Sequence, residues 1–342
     1  MKALNLHGIG DLRYEDVPMP VRGAGEVLMK IRAVGICGSD IPRVFEKGTY
    51  HFPTIIGHEF AGEIVEAEDF ALIGRGAAVF PLLPCGTCEA CRTEHYAQCS
   101  NYDYYGSRRD GAMAEYLAVK QENICLIPEG VSYEEAAMCE PTAVALHAFQ
   151  KSGAGLGDTL LIYGVGTIGL ILAQWARAAG VKNILLAART DDKVEFAKKL
   201  GFSLALNVRK DSLKEMLEDL TGGQGADVCI EGTGESESLE ACISAAGNFG
   251  TVVSMGNPGE NMCLSQDVYW KILRKELRIV GTWNSSFGSR ENDWWEAVKA
   301  MQDKRLDLKS LITHRFSFAK YKEAFSLIHE RREMYCKVMF LL

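Results

Sequence analysis

The 342-residue sequence lacks any apolar run close to the roughly 20 residues that a helix needs to span a bilayer. Its opening stretch, MKALNLHGIGDLRYED, also lacks the apolar centre of a secretion signal. Positive charge is not in excess, because 45 acidic residues outnumber 37 lysines and arginines and the formal net charge is −8. These absences argue against a membrane protein and against broad binding to nucleic acids. We expect a cytoplasmic protein that acts on a small molecule.

Internal repeats, low-complexity tracts and long linkers are also absent. The chain is too long for one small core and fits two domains of ordinary size. Its first part is rich in Gly, Pro and short β-type runs such as EVLMKIRAV. From Thr159 onward, apolar strand-like runs alternate with helical stretches, which predicts βαβ units on a parallel sheet. We expect a β-rich domain over residues 1–147 and 283–342, and an α/β domain over residues 148–282.

The α/β domain contains GVGTIG, in which Gly164, Gly166 and Gly169 stand between a predicted strand and a predicted helix. In this context GxGxxG predicts a dinucleotide site: the glycines permit a tight turn, close approach to a pyrophosphate, and close packing of helix on strand. The N–H groups at the helix start, around Thr167 and Ile168, would face the anion. Such a turn can also merely connect strand to helix, but the βαβ alternation favours dinucleotide binding.

An acidic residue is missing where the next strand ends, about 20 positions beyond the glycines, the place where NAD-selecting proteins commonly have one. This chain has Ala188 and Arg189 there. Ala188 removes the repulsion of a 2′-phosphate, and Arg189, with Lys193 nearby, could bind it. We therefore expect NADP(H) to be favoured over NAD(H). The alternative is that both cations are solvated surface charges.

Four of the eleven cysteines are crowded into CGTCEACRTEHYAQC. Their spacing predicts a closed tetrahedral zinc site that holds together a lobe with little apolar core. An iron–sulfur cluster is the competing chemistry, but no further ligand pattern supports it, and a nucleic-acid-binding zinc ribbon fits poorly with the acidic composition. The ligands of this structural zinc would be Cys85, Cys88, Cys91 and Cys99.

A second set of metal-binding residue types is spread over GICGSD, GHEFAG and CEPTAV. Taken singly, Cys37 could be a small buried hydrophobe and His58 a turn histidine. Together with Glu59 and Glu140 they offer one thiolate, one imidazole and two carboxylates. That mixture is typical of a catalytic zinc, which keeps one position open for substrate.

These motifs resemble the zinc-containing medium-chain dehydrogenases, the family of alcohol and sorbitol dehydrogenases. The resemblance covers essentially the whole chain. Within the family, PRVFEKGTYHFPTIIGHEF and YGSRRDGAMAEY look most like the polyol-phosphate branch that acts on galactitol 1-phosphate. The resemblance implies a GroES-like catalytic domain with a structural zinc lobe and a Rossmann domain built on a doubly wound parallel sheet. It also implies two zinc ions per subunit, a homodimer or homotetramer, and a cofactor contact from Gly232 in EGTG.

The resemblance also implies roles for individual residues. Ser39 matches the hydroxyl that takes the proton from the alcohol, while hydride passes to the nicotinamide. Pro42 stands where many relatives have a histidine that continues the proton relay, so the route beyond Ser39 differs. The catalytic zinc ligands would be Cys37, His58 and Glu59, with Glu140 binding the metal directly or through water.

A phosphorylated polyol would need cations near the substrate cleft, and the chain offers Arg43, Arg108 and Arg109. Arg43 lies four residues after Ser39, so we expect it close to substrate. The other two could instead form a salt bridge with Asp110 or Glu115.

We expect a zinc-dependent oxidoreductase that interconverts a polyol, favoured as the phosphate, and its ketose with NADP(H) or NAD(H). A free-polyol or secondary-alcohol dehydrogenase is the alternative. A non-catalytic NADPH-binding protein and a zinc-free quinone reductase are disfavoured by the full set of metal-binding residues.

Overall fold

The computed structural model describes residues 1–342, which form eighteen strands and eleven α-helices. The strands are β1 (Lys2–Gly8), β2 (Asp11–Asp16), β3 (Glu26–Gly35), β4 (Thr54–Ile55), β5 (Glu59–Glu66), β6 (Gly76–Val79), β7 (Leu82–Leu83), β8 (Asp103–Tyr104), β9 (Tyr116–Lys120), β10 (Ile124–Leu126), β11 (Thr159–Tyr163), β12 (Asn183–Ala188), β13 (Ala205–Asn207), β14 (Ala226–Glu231), β15 (Ala246–Ser254), β16 (Arg278–Gly281), β17 (Ile312–Phe316) and β18 (Lys337–Leu341). The helices are α1 (Asp40–Pro42), α2 (Glu89–Arg92), α3 (Tyr133–Ala137), α4 (Cys139–Ser152), α5 (Thr167–Ala178), α6 (Asp191–Lys199), α7 (Leu213–Thr221), α8 (Ser236–Ala245), α9 (Gln266–Arg274), α10 (Asp293–Gln302) and α11 (Tyr321–Glu330).

The chain divides into two compact units. The first comprises Met1–Ala143 and Ser285–Leu342, and the second comprises Val144–Asn284. Helix α4 runs through the first limit, so no loop or glycine marks it in the sequence. No helix combines the length and the apolar character that crossing a membrane requires.

The first unit is built around β3. This strand pairs antiparallel with β5, β9 and β18, and a seven-stranded sheet runs in the order β10-β6-β5-β3-β18-β17 with β9 also on β3. Leu4, Ile31, Ile64, Phe325 and Phe340 are among its buried core residues. The core therefore draws on both ends of the chain, and β18 lies inside the sheet.

The second unit is a six-stranded sheet in the order β13-β12-β11-β14-β15-β16, and every neighbouring pair is parallel. The predicted doubly wound parallel sheet is confirmed. Leu161, Leu185, Cys229 and Val252 are buried in its core. The strand order reverses at β11, because β12 and β13 lie on one side of it and β14 to β16 on the other. In such sheets ligands bind at the carboxyl ends of the strands where the order reverses.

Candidate active site

Three of the predicted metal ligands lie together in the first unit. Cys37 follows β3, and His58 and Glu59 lie at the start of β5, the strand paired with β3 through Gly35 and Glu59. One ligand atom from each of the three lies within 4.8 Å of the other two. His58 and Glu59 are buried, whereas Cys37 is partly exposed. The donor set of sulfur, nitrogen and oxygen, with one accessible side, fits a catalytic zinc ion.

Asp40 is fully buried and contacts both Cys37 and His58. Its Oδ2 accepts a hydrogen bond from the Cys37 N–H at 3.0 Å, and its Oδ1 lies 3.4 Å from His58 Nδ1. Burial alone would raise the pKa of Asp40, but the positive charges of His58 and Arg43 lower it to about 2. A carboxylate beside one imidazole nitrogen fixes the ring and leaves the other nitrogen for a metal. Because the 3.4 Å contact does not meet hydrogen-bond geometry, Asp40 acts on His58 Nδ1 through its charge.

Ser39 lies beside Cys37, and Arg43 lies beside Ser39. Ser39 Oγ donates to Cys37 Sγ at 3.2 Å and accepts from Arg43 Nη1 at 3.0 Å. The same Nη1 lies 3.0 Å from Asp40 Oδ1. Arg43 is therefore held by side chains of the site itself, which leaves fewer of its donors for a substrate phosphate.

Glu140 is the second residue of α4 and is buried, but it stands outside the compact three-ligand group. Burial raises the pKa of Glu140 to about 7, an effect that His58 opposes and Glu59 reinforces. Its Oε1 accepts from the Tyr104 hydroxyl at 3.5 Å. The Tyr104 ring meets the His58 ring edge-on at 5.7 Å.

The loop YGSRRDGA packs closely against Gly57, the residue before His58, through its glycines. Gly57 has φ of +99°, and a Cβ at Gly111 would lie 2.2 Å from the Gly57 oxygen, so no larger residue fits. The loop carries Arg108, whose guanidinium lies 4.0 Å from the Tyr50 ring centroid and 4.5 Å from that of Tyr102.

The two loop arginines have different partners. Arg108 Nη2 donates to the Tyr50 hydroxyl at 3.1 Å, and its buried Nε has no hydrogen-bond partner. Arg109 Nε lies 3.5 Å from Asp103 Oδ2. The salt bridge considered from the sequence therefore exists for Arg109, but with Asp103 rather than with Asp110 or Glu115. Asp110 instead accepts from the Ile55 N–H at 2.9 Å.

The four clustered cysteines meet around one point. Their sulfurs all lie within 4.8 Å of one another, and none forms a disulfide. The short helix α2 and the turn Tyr96–Gln98 place them. Hydrogen bonds from Thr87 lower the pKa of Cys85 to about 5, whereas burial raises the pKa of Cys91 to about 12. Four thiols at this separation fit a tetrahedral structural zinc. They are Cys85, Cys88, Cys91 and Cys99.

The predicted nucleotide residues lie at the carboxyl ends of β11, β12 and β14 in the second unit. Gly164 has φ of +118° and donates its N–H to the Ala187 oxygen at 3.0 Å, which folds the turn onto β12. A Cβ at Gly169 would lie 1.9 Å from the Gly164 oxygen, so only glycine fits there. Gly166 caps α5, whose first residues are Thr167 and Ile168. The Gly232 N–H donates to the Tyr163 oxygen at 2.9 Å.

The segment predicted to select the cofactor contains an ion pair that the sequence did not indicate. Ala188 ends β12 and is buried, and Lys193 lies in the first turn of α6. Arg189 Nη1 donates to Glu235 Oε2 at 2.5 Å. Glu235 stands 46 residues further along, before α8, where an acid reads as a helix-capping residue.

Lys337 is a second residue that the sequence did not indicate. It is buried at the start of β18, and its Nζ donates to Glu59 Oε2 at 2.5 Å and to the Ile36 oxygen at 3.2 Å. Burial opposes the charged form, but Glu59 raises the pKa of Lys337. The one available signal was a lysine within the apolar run CKVMFLL.

The chain is similar to known dehydrogenases over its whole length. The family models for the alcohol dehydrogenase GroES-like domain and for zinc-binding dehydrogenases match residues 23–129 and 167–303. Galactitol 1-phosphate 5-dehydrogenase of Escherichia coli K12 is 35% identical over 314 residues, 91% of each chain. Sorbitol dehydrogenase of Halalkalibacterium halodurans is 31% identical over 336 residues, 96% of each. The crystal structure of galactitol-1-phosphate dehydrogenase from Escherichia coli matches with a TM-score of 0.93 at 34% identity, covering 100% of both chains.

Proposed function

The chain belongs to the zinc-containing medium-chain dehydrogenases, and we propose that it interconverts a polyol phosphate of the galactitol 1-phosphate type and the corresponding ketose, with NADP(H) favoured over NAD(H). The activity class is that of a zinc-dependent polyol or alcohol dehydrogenase. The observation that carries the proposal is the group of Cys37, His58 and Glu59 beside Ser39, with Arg108 on the adjoining loop.

Each residue of the group has a chemical task. Zinc, when bound, supplies a Lewis acid that lowers the pKa of the alcohol, and the nicotinamide supplies the hydride acceptor. Cys37, His58 and Glu59 would hold the metal. Asp40 orients His58, and Lys337 offsets the charge of Glu59. Four further thiolates, in the lobe of Cys85 to Cys99, would hold a second, structural zinc.

Ser39 would take the alcohol proton at Oγ. Arg43 donates to that oxygen at 3.0 Å and holds it in place, while Ser39 releases its own hydroxyl proton as it takes the new one, so no net charge builds up on Oγ. Arg43 cannot carry the proton further, because a guanidinium remains protonated and has no acceptor. With Pro42 in place of a relay histidine, the proton passes from the partly exposed Ser39 to water.

Arg108 is the better phosphate ligand of the three predicted arginines. Arg43 is engaged by Ser39 and Asp40, and Arg109 pairs with Asp103. Arg108 is instead held between two tyrosine rings and pairs with no carboxylate in the structure. A stacked guanidinium whose charge is not neutralised by a carboxylate suits a phosphate dianion.

The test is a comparison of initial rates with galactitol 1-phosphate and with free galactitol and sorbitol, each with NAD⁺ and NADP⁺. Arg108→Met should lower the ratio of kcat/KM for phosphorylated over free polyol by roughly 10- to 100-fold, the loss of one charge-assisted hydrogen bond. Arg109→Met is the matched control and should change the ratio by less than about threefold.

A free polyol is the second candidate substrate, because the sorbitol dehydrogenase relative is nearly as similar to the chain. Faster turnover of free than of phosphorylated polyols by the wild-type protein would favour it and contradict the phosphate assignment. Tight nucleotide binding without turnover of any polyol by the zinc-loaded protein would instead favour a non-catalytic NADPH-binding role.

Self-association as a homodimer or homotetramer is part of the proposal. Strand β16 pairs only with β15 and leaves its other edge open. Ile279 on that strand and Trp283 just after it are exposed apolar residues. An open edge with apolar side chains commonly pairs with another chain.

The eleven free cysteines support a reducing compartment such as the cytoplasm.

A further inference from the structure

An ion pair lies across the proposed nucleotide turn. Arg189 follows β12 and Glu235 follows β14, and Arg189 Nη1 donates to Glu235 Oε2 at 2.5 Å. Strands β12 and β14 are the two neighbours of β11, whose following turn carries Gly164 and Gly166. The pair therefore joins the two flanks of the turn at the carboxyl edge of the sheet.

The backbone that carries Glu235 is firmly held. Glu231, at the end of β14, is buried, and its Oε1 accepts from the N–H groups of Thr233 at 2.6 Å and Gly234 at 2.9 Å. Ser238 Oγ lies 2.8 Å from that same oxygen and 2.8 Å from the Glu235 carbonyl oxygen. Only the side chain of Glu235 is thus left to move.

The pair is also accessible to a ligand. The side chains of Arg189 and Glu235 are 33% and 44% exposed, so water competes with each partner and the pair opens at small cost. The acidic residue that is missing at position 188 therefore has a counterpart at this edge of the sheet. It is Glu235, which follows β14 rather than β12 and forms an ion pair with Arg189.

We infer that Glu235 is a specificity-determining residue for the nucleotide, because its carboxylate competes with a 2′-phosphate for Arg189. This inference rests on the proposed dinucleotide function. NAD(H) brings no charge to the ribose and leaves the Arg189–Glu235 pair intact. NADP(H) must draw Arg189 away and place a dianion near a carboxylate, and juxtaposed like charges disfavour binding. Glu235 thus weakens the NADP(H) preference that Ala188 and Arg189 confer.

The experiment measures dissociation constants of NADPH and NADH by fluorescence titration of the zinc-loaded protein. Glu235→Gln should tighten NADPH binding roughly five- to tenfold and change NADH binding by less than about twofold, because one competitor for one charged pair is removed. Glu237→Gln is the matched control. It removes the same charge from an exposed position in the first turn of α8 that forms no ion pair with Arg189, and should leave the NADPH to NADH ratio within about twofold.

A second background separates competition from general repulsion. With Arg189→Met in place, Glu235→Gln should gain less for NADPH than it does in the wild type, because no guanidinium remains to be released. An equal gain in both backgrounds, an unchanged ratio for Glu235→Gln, or an equal effect of Glu237→Gln would overturn the inference while the dehydrogenase proposal stands. Failure to bind either nucleotide would overturn both.

Discussion

Replacing Lys337 by methionine should destabilise the zinc-free protein by about 3–5 kcal/mol, the cost of leaving one partner of a buried ion pair uncompensated. The partner of Lys337 is Glu59. The side chains of Lys337 and Glu59 are 4% and 2% exposed, so water cannot solvate the Glu59 carboxylate once the ammonium group is removed. The Ile36 oxygen would lose its donor as well. Methionine keeps the length of the lysine stem, so the substitution tests the charge and the hydrogen bonds more than the packing.

The assay is urea unfolding in the presence of a chelator, with an unchanged m value required of each variant. Lys120→Met is the matched control. Lys120 Nζ lies 3.2 Å from Glu26 Oε1, but these side chains are 38% and 14% exposed, and the expected loss is below about 1 kcal/mol.

The double variant Lys337→Met with Glu59→Gln should recover more than half of the loss, because it leaves no buried charge. Zinc should shrink the effect of Lys337→Met, because a cation beside Glu59 takes over part of the charge compensation. A loss below about 1 kcal/mol for Lys337→Met, or strictly additive losses in the double variant, would refute the reasoning.

Two further outcomes follow from the cysteine lobe and from the open sheet edge. Cys91→Ser should lower the zinc content, measured by elemental analysis, from about two ions per chain to about one, and should lower the Tm measured by calorimetry. Cys263→Ser, at an exposed cysteine outside both metal-binding groups, should change neither quantity. Two retained zinc ions in Cys91→Ser would contradict a four-thiolate site. Ile279→Lys should reduce the mass measured by light scattering, from a homodimer to a single chain or from a homotetramer to a dimer. Val21→Lys, at a position 90% exposed in the first unit, should leave the mass unchanged. An unchanged mass for Ile279→Lys would exclude β16 as the interface.

Local patterns in the sequence were enough for much of the fold. The family and the two-domain fold class are confirmed. They were predictable because the four-cysteine spacing, the glycine turn and the βαβ alternation each lie within a short stretch of sequence. Gly169 illustrates why: the contact that excludes a side chain there is with Gly164, only five residues away.

Ion pairs between residues that are far apart in the chain could not be predicted from the sequence. Lys337 contacts Glu59 across 278 residues, and Glu235 contacts Arg189 across 46 residues. For Arg109 the nearest acids in sequence were the wrong partners, because the fold of the loop brings Asp103 to it instead. Which charges meet depends on strand order and register, and no spacing rule encodes these.

The position of β18 between β3 and β17 has a consequence for the order of events during synthesis. The second unit is continuous in the chain, so it can fold while the rest is still being made. The first unit must wait with Ala33, Val34 and Gly35 of β3 lacking their β18 partners and with Glu59 lacking its lysine. At roughly 5–20 residues per second, the 278 residues between Glu59 and Lys337 correspond to about 15–55 s. Throughout that interval the nascent chain exposes this short open part of β3, where backbone groups are free to pair with another chain until β18 is made.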